Sequence, residues 1–204
     1  MSELRRIVLV RHGETVGNSH VRFHGSSDLP LSDDGRAQMR AAAHQLRTEV
    51  FDLVVASPLQ RSWEGAWIVS GAAPVRLESD FREVHFGRWE GLTREEIEAI
   101  DPVLHADWQA GAEGFEYPSG ERRADFRARV YRGLERLQAS GASSVLCVIH
   151  KGVIRTIAER LLGAPLVHGL PELGGIVGLG RAADGTWFQG RRGSNPPALS
   201  EAAA

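Results

Sequence analysis

The chain has little of what marks a secreted, membrane-spanning or nucleic-acid-binding protein. Its 204 residues include one cysteine, Cys147, so no disulfide framework can form within the chain. No apolar run approaches the roughly 20 residues that a membrane span needs. The 24 basic and 26 acidic residues leave a net charge of -2, so no global field attracts nucleic acid or an acidic membrane. We therefore expect a cytoplasmic protein without nucleic-acid or membrane partners.

Cofactor motifs are also lacking. Residues 178–183 fit the dinucleotide-binding pattern G-x-G-x-x-A, but Asp184 and Gly185 then turn the chain toward Trp187 and Phe188. That order predicts a β-hairpin, whereas a pyrophosphate would need the N-terminus of a helix. The chain contains no Walker lysine pattern and no Cys/His cluster with zinc spacing. The sequence predicts a protein with no cofactor and no metal.

What the sequence does contain is an alternation of strand and helix patterns. The predicted strands cover residues 7–10, 51–56, 75–77 and 145–149. The predicted helices cover residues 33–50, 58–70, 126–137 and 153–161, with a shorter one around Ile97 and Ile100. Such an alternation predicts an α/β fold with three layers, α/β/α, and a mainly parallel central sheet.

We expect one domain over residues 1–190, because the length suits a single core and no linker interrupts the patterns. The segment 191–204, rich in proline and alanine, is expected to be a disordered tail. Cys147 lies within an apolar run and is predicted to be buried. Trp63 and Trp67, four residues apart in a predicted helix, are expected to belong to the core.

Reactive side chains follow the ends of the predicted strands. Arg11 and His12 come directly after the first strand, and His150 comes directly after the run 145–149. Arg61 falls in the first turn of the helix behind the second strand, and Glu83 lies beyond the third. Because parallel strands end at the same edge of a sheet, these five residues are expected to converge there.

These residues stand in motifs that resemble the histidine phosphatase superfamily, in its phosphoglycerate-mutase-like branch. The four matching blocks, in order along the chain, are R-H-G-E at 11–14 with Asn18, Arg22, Gly25, Asp28 and Pro30-Leu31-Ser32 behind it; S-P-L-x-R at 57–61; E-x-x-F-G-x-W-E-G at 83–91; and H-x-G-V-I-R at 150–155. The resemblance implies a metal-independent phosphatase that acts through a phosphohistidine.

The chemistry of phosphate ester hydrolysis suits these residue types. The transition state spreads charge over three equatorial oxygens, which the fixed cations Arg11 and Arg61 can bind. By resemblance His12 is the nucleophile, and neighbouring cations should lower its pKa so that it stays neutral. His150 would bind another phosphoryl oxygen, and Glu83 would protonate the leaving alkoxide and then activate water.

Further residues of the same motifs are candidates for binding the substrate or its phosphate. They are Thr15, Asn18, Arg22, His24, Gly25 and Lys151. Lys151 replaces the glycine that many members of the family have there, and either anchors a negatively charged substrate or is a surface residue. His24 and His85 either line the pocket or are plain loop residues. Glu14 is expected to orient its loop by hydrogen bonding, without a catalytic role.

Departures from the family pattern bear on the substrate. Glycolytic mutases have an arginine and a tyrosine where this chain has Val84 and Phe86, and a longer insertion before the last histidine block. Both differences favour a phosphatase of a small phosphorylated metabolite over the alternative, a phosphoglycerate-mutase-type phosphotransferase. A non-catalytic phospholigand-binding module is the third hypothesis, and a homodimer is compatible with the sequence.

Overall fold

The computed structural model describes residues 3–190, so the predicted disordered tail lies outside the described residues. Within this range the strands are β1 (Arg6–Arg11), β2 (Leu53–Ala56), β3 (Val75–Leu77), β4 (Ser144–Ile149), β5 (Ile176–Arg181) and β6 (Trp187–Gly190). The helices are α1 (Asp33–Gln45), α2 (Gln60–Val69), α3 (Arg94–Ile100), α4 (Pro102–Ala110), α5 (Arg123–Gln138) and α6 (Lys151–Leu162).

The strands form one sheet in the order β3-β2-β4-β1-β5-β6. The first four of these run parallel, while β5 is antiparallel to β1 and forms a hairpin with β6. The mainly parallel sheet and the hairpin in place of a dinucleotide loop are thus confirmed. In the β1–β4 pair Arg11 lies opposite Ile149, so the residues that follow both strands emerge side by side.

Alternate residues along the strands pack into two separate hydrophobic cores, one on each face of the sheet. Leu9 and Cys147 pack on the side of α5 and α6, and Val10 packs on the side of α1 and α2. This arrangement confirms the three-layer α/β/α fold. Cys147 is buried as expected, and burial raises the pKa of its thiol to about 12.

The end of α1 and the presence of α4 differ from the expectation. Ser32 caps α1 by accepting a hydrogen bond from the Gly35 amide, but the helix ends at Gln45, so its predicted extension to residue 50 was wrong. Helix α3 ends at Ile100 as predicted. A further helix, α4, begins directly at Pro102, because the missing amide hydrogen of proline costs nothing at the first helical position.

The expected burial of Trp63 and Trp67 was wrong. Their relative exposures are 41% and 56%, because α2 turns a different face toward the sheet. That face consists of Arg61, Ser62, Gly65, Ala66 and Val69, whose mostly small side chains allow close packing on the strands. The two indoles instead line an open groove beside β3, the edge strand of the sheet.

A third core cluster lies beyond the carboxyl ends of the parallel strands. Trp89, Ile97 and Phe115 are its buried members, and several partly buried aromatic rings pack against them. The rings of Phe23, Phe86, Trp108 and Tyr117 belong to this group and contact one another mostly edge to face. The cluster forms one wall of the cavity described below. Over residues 3–190, no helix combines the length and apolar character needed to cross a membrane.

Candidate active site

The strand-end residues converge as the sequence predicts. His12 follows β1 and His150 follows β4, and their ring centroids lie 5.1 Å apart. Arg61 reaches the same place from the first turn of α2, and its Nε lies 3.3 Å from His12 Nε2. All three side chains are buried, as is Glu83. The parallel register of β1 and β4 therefore accounts for the pairing of the two histidines.

The tautomer of His12 follows from its hydrogen bond. Its Nδ1 lies 2.7 Å from the carbonyl oxygen of Gly13, and because a carbonyl only accepts, Nδ1 carries the proton. The lone pair is then on Nε2, which faces Arg61. Burial holds the pKa of His12 well below its ordinary value, with the charges of Arg61 and Arg11 acting in the same direction. His12 is a neutral imidazole whose unprotonated Nε2 is directed into the site and accepts from Arg61 Nε.

Arg61 is buried without a carboxylate partner among the described residues. Its Nη1 donates to the carbonyl of Ser27 at 2.6 Å, and its Nη2 donates to the carbonyls of His24 and Gly25 at 3.1 and 2.6 Å. These bonds fix the guanidinium plane and leave Nε directed at His12. The carbonyls satisfy its donors, while its positive charge is left available to an anion.

The loop that holds Arg61 is itself held by Glu90. The Glu90 carboxylate accepts hydrogen bonds from the amides of Gly25 and Ser26 at 3.1 and 2.9 Å and from the Ser27 hydroxyl at 2.6 Å. Gly25 is required here, because a Cβ at this position would lie 1.9 Å from the carbonyl oxygen of Val84. Glu90 therefore orients Arg61 through the backbone, a role that the sequence analysis did not assign.

Two further groups in the site hold unused hydrogen-bonding capacity. Both ring nitrogens of His150 are buried without a hydrogen-bond partner, and so is Nε of Arg11. Burial holds the pKa of His150 well below its ordinary value, and Arg61 adds to the effect, so this ring is neutral as well. Buried polar atoms are rarely left unpaired in folded proteins. Their convergence beside His12 indicates a binding site for an anion.

Glu83 is fixed at the rim of the site by backbone amides. Its Oε2 accepts from the amide of Gly152 at 2.9 Å, and its Oε1 accepts from the amide of Val84 at 3.0 Å. Gly152 permits this approach, because a Cβ there would lie 2.5 Å from Oε1. Arg129 forms an ion pair with Glu121 and donates to the Glu83 carbonyl at 3.1 Å. These contacts fix the backbone at Glu83.

A cavity of about 240 Å³ opens above these groups. Arg11, His12 and Glu83 line it, and so do three of the residues predicted to bind substrate, Arg22, His24 and Lys151. The guanidinium of Arg22 is occupied by an ion pair with Glu96 at 2.8 Å. His24 places its Nε2 2.6 Å from the carbonyl of Gly17, while its Nδ1 is buried and unpartnered.

Other predicted residues do not line this cavity. Thr15 is buried, Asn18 adopts a left-handed backbone conformation with φ 58, and Gly25 serves the close approach described above. Their contact with a phosphate stays a prediction. His85 also lies off the cavity wall, where its Nδ1 accepts a hydrogen bond from the Gly87 amide at 3.1 Å.

Glu14 orients its loop, as expected. Its carboxylate accepts hydrogen bonds from the Thr15 amide at 2.8 Å and the Ser19 hydroxyl at 2.7 Å, and its Oε2 lies 2.6 Å from Nδ1 of His20. Burial acts to raise the pKa of Glu14, but these hydrogen bonds outweigh it and lower the pKa.

Sequence reasoning missed several residues of the cavity wall. Arg94, Trp108 and Arg155 line it. Arg155 closes the motif at 150–155 and stands four residues after Lys151, a spacing that already places both on one face of a helix. For Arg94 and Trp108 the sequence offers no comparable signal.

The site thus combines a neutral imidazole, fixed guanidinium groups and a carboxylate with buried polar atoms that have no hydrogen-bond partner. Among residues 3–190, no group of three or more His, Cys, Asp or Glu is placed to hold a metal ion. Fixed donors that meet developing charge are what phosphoryl transfer requires.

The chain belongs to the histidine phosphatase superfamily (branch 1), whose profile matches residues 7–173. This match confirms the resemblance seen in the sequence motifs. It covers β1 to α6 and therefore every residue of the site just described.

Particular relatives are phosphatases by name. The chain is 34% identical over 183 residues to a glucosyl-3-phosphoglycerate phosphatase of Mycolicibacterium vanbaalenii, covering 85% of this chain and 80% of that protein. It is 32% identical over 163 residues to the adenosylcobalamin/alpha-ribazole phosphatase of Salmonella typhimurium, covering 78% and 81%. The crystal structure of the alpha-ribazole phosphatase from Shigella flexneri matches with a TM-score of 0.80 at 27% identity, over 93% of this chain and 96% of that one.

Proposed function

We propose that this protein is a metal-independent phosphomonoesterase that hydrolyses a small phosphorylated metabolite through a phosphohistidine at His12. The observation that carries the proposal is the geometry at His12 Nε2. This lone pair meets Arg61 Nε at 3.3 Å in a buried site where His150 and Arg11 hold unpartnered polar atoms. A phosphoryl group placed there would meet a nucleophile and three fixed partners at once.

In the first step His12 Nε2 attacks phosphorus. The N–P bond forms as the P–O bond to the leaving alcohol breaks, and the developing charge on the equatorial oxygens is stabilised by Arg11, Arg61 and His150. The proton stays on His12 Nδ1, hydrogen-bonded to the Gly13 carbonyl, so the ring becomes cationic as Nε2 gains the phosphoryl group. Glu83 donates a proton to the leaving oxygen.

In the second step water replaces the alcohol. Glu83, now a carboxylate, takes a proton from water as its oxygen attacks phosphorus. The N–P bond breaks, its electron pair returns to His12 Nε2, and inorganic phosphate leaves. The backbone amides of Val84 and Gly152 stabilise the carboxylate between the two steps.

The cavity wall supports hydrolysis over transfer. Val84 and Phe86 line it where the glycolytic mutases have polar groups that hold phosphoglycerate. The two relatives compared above are named for glucosyl-3-phosphoglycerate and for adenosylcobalamin or alpha-ribazole, which supports a small phosphorylated metabolite as the substrate. The cytoplasmic location and the homodimer stay predictions.

We expect the purified protein to release inorganic phosphate from small phosphomonoesters. Release should exceed the interconversion of 2- and 3-phosphoglycerate by at least about 100-fold, because no polar side chain at residues 84 and 86 retains the substrate for return transfer. Phosphate release and isomer ratio are measured in the same reaction, with and without a bisphosphate primer. Efficient interconversion with little phosphate release would favour the mutase alternative.

Chelation should not inhibit the enzyme. Arg11 and Arg61 supply the positive charge that a divalent ion supplies in other phosphatases, so activity after extensive EDTA dialysis should stay within about twofold of the untreated value. The measurement is the hydrolysis rate before dialysis, after dialysis and after addition of Mg²⁺, Mn²⁺ or Zn²⁺. Loss of activity that a divalent ion restores would contradict this assignment of the charge.

A further inference from the structure

A carboxylate faces the active site from outside the cavity. Glu172 lies in the segment between α6 and β5, and its Oε2 is 3.9 Å from Nη1 of Arg11. The side chain of Glu172 is 95% exposed, whereas that of Arg11 is 12% exposed. Arg11 lines the cavity and Glu172 does not. The ion pair therefore joins a largely buried guanidinium of the site to a carboxylate in solvent at its rim.

The backbone around Glu172 is fixed to the end of β1. Nη1 of Arg11 donates a hydrogen bond to the carbonyl of Pro171 at 3.3 Å, and the Arg11 amide donates to the carbonyl of Gly175 at 3.0 Å. The amide of Gly174 donates to the Arg11 carbonyl at 3.1 Å, and the amide of Gly175 donates to the Glu172 carbonyl at 2.8 Å. These bonds hold the Glu172 backbone in place, so its exposed carboxylate stays within reach of Arg11.

Arg11 faces both this carboxylate and the phosphoryl position. Its Nε is one of the unpartnered atoms beside His12 that the proposed function assigns to phosphoryl binding, and its Nη1 faces Glu172. Burial lowers the pKa of Arg11, and three carboxylates oppose this shift, Glu172 first and then Glu83 and Glu14. Of these three, Glu172 has the strongest electrostatic influence on Arg11.

A phosphate bound at Arg11 meets the charge of Glu172. The two anions share one guanidinium and repel each other over a short distance. Because Glu172 is exposed, water and salt weaken this repulsion to a factor of a few in affinity. A phosphate ester offsets the loss through contacts of its alcohol with the cavity wall. Inorganic phosphate has no alcohol and therefore bears the full effect.

We propose that Glu172 weakens the binding of inorganic phosphate to the active site and so limits inhibition by the product. The inference rests on the proposed function and narrows it, because the anion concerned is the phosphate that hydrolysis releases. Glu172 contacts no reacting atom and takes no part in the two chemical steps. Its negative charge acts on the bound anion across Arg11.

The inhibition constant Ki of inorganic phosphate tests this assignment. It is measured against hydrolysis of 4-nitrophenyl phosphate at about pH 8 and about 20 mM ionic strength, where the Debye length is roughly 20 Å. Glu172→Gln removes the charge and keeps the shape of the side chain, and it should lower Ki by about threefold to fivefold. Glu172→Asp keeps a carboxylate on the same fixed backbone, so its Ki should stay within about twofold of wild type.

Salt separates a charge effect from a structural one. In about 0.5 M NaCl the Debye length falls to roughly 4 Å, so the difference between Glu172→Gln and wild type should shrink to less than about 1.5-fold. Glu135→Gln, which removes an exposed carboxylate of α5, is the matched control. It should keep the wild-type Ki at both salt concentrations.

The outcomes separate the inference from the function beneath it. An unchanged or raised Ki in Glu172→Gln at low salt would overturn the inference while leaving the phosphatase standing. A lowered Ki that persists undiminished in high salt would do the same, because a screened charge cannot be its cause. No hydrolysis of any ester by the wild-type protein would overturn the proposed function and this inference together.

Discussion

His12→Ala should abolish turnover, with a loss of about 10⁴-fold or more in kcat for every phosphomonoester, because the variant lacks the Nε2 lone pair that attacks phosphorus in the proposed mechanism. The wild-type protein, quenched during turnover of a phosphate-labelled substrate, should carry label that is stable to base and lost in acid. The variant should carry none. Both measurements use the same preparation.

The matched control is His44→Ala, which removes an exposed imidazole at the end of α1. It should retain wild-type turnover and labelling. Circular dichroism of both variants checks that the fold is intact. Turnover of His12→Ala comparable to wild type, with a folded protein, would remove His12 as the nucleophile and with it the two-step mechanism.

Glu83→Gln should separate substrates by their leaving group. Esters of aliphatic alcohols should lose about 10² to 10⁴ in kcat/KM, since their alkoxides need a proton as they depart. An activated aryl phosphate should lose less than about tenfold, because its phenoxide leaves without one. The measurement is a series of esters ordered by the pKa of the leaving alcohol, which should give a steeper dependence in the variant.

Glu135→Gln, at an exposed carboxylate of α5, is the control and should leave the series unchanged. Equal losses for alkyl and aryl esters in Glu83→Gln would mean that Glu83 positions the site without transferring a proton. The Gly152 amide can still donate to the glutamine oxygen, so the variant should keep part of the local geometry.

The convergence of the site could be predicted because it depends on a simple rule. His12 and His150 each end a strand pattern, and parallel strands bring such residues to one edge. The sheet confirms this, with β1 and β4 as direct neighbours in register. The predicted effect of neighbouring cations on His12 was right in direction, but burial is the larger cause of its lowered pKa.

Other features depend on contacts that no periodicity reports. Trp63 and Trp67 are exposed because a different face of α2 packs on the sheet. That face consists mostly of smaller residues. The support of Arg61 by Glu90 joins residues far apart in the chain through backbone atoms, which have no sequence signature. Arg94 reaches the cavity from α3, outside every strand end.

The carbonyl groups that hold Arg61 affect the free energy of unfolding. The Arg61 guanidinium is buried with carbonyl oxygens and His12 as its hydrogen-bond partners and with no ion pair to a carboxylate among the described residues, so its desolvation counts against the native state. A phosphate ion bound beside it supplies the missing countercharge and binds only the folded chain. At 100 times its dissociation constant, such a ligand adds about 2.7 kcal/mol to the free energy of unfolding. Occupancy of the site and survival of the fold are therefore thermodynamically linked, and substrate or product protects the enzyme that processes it.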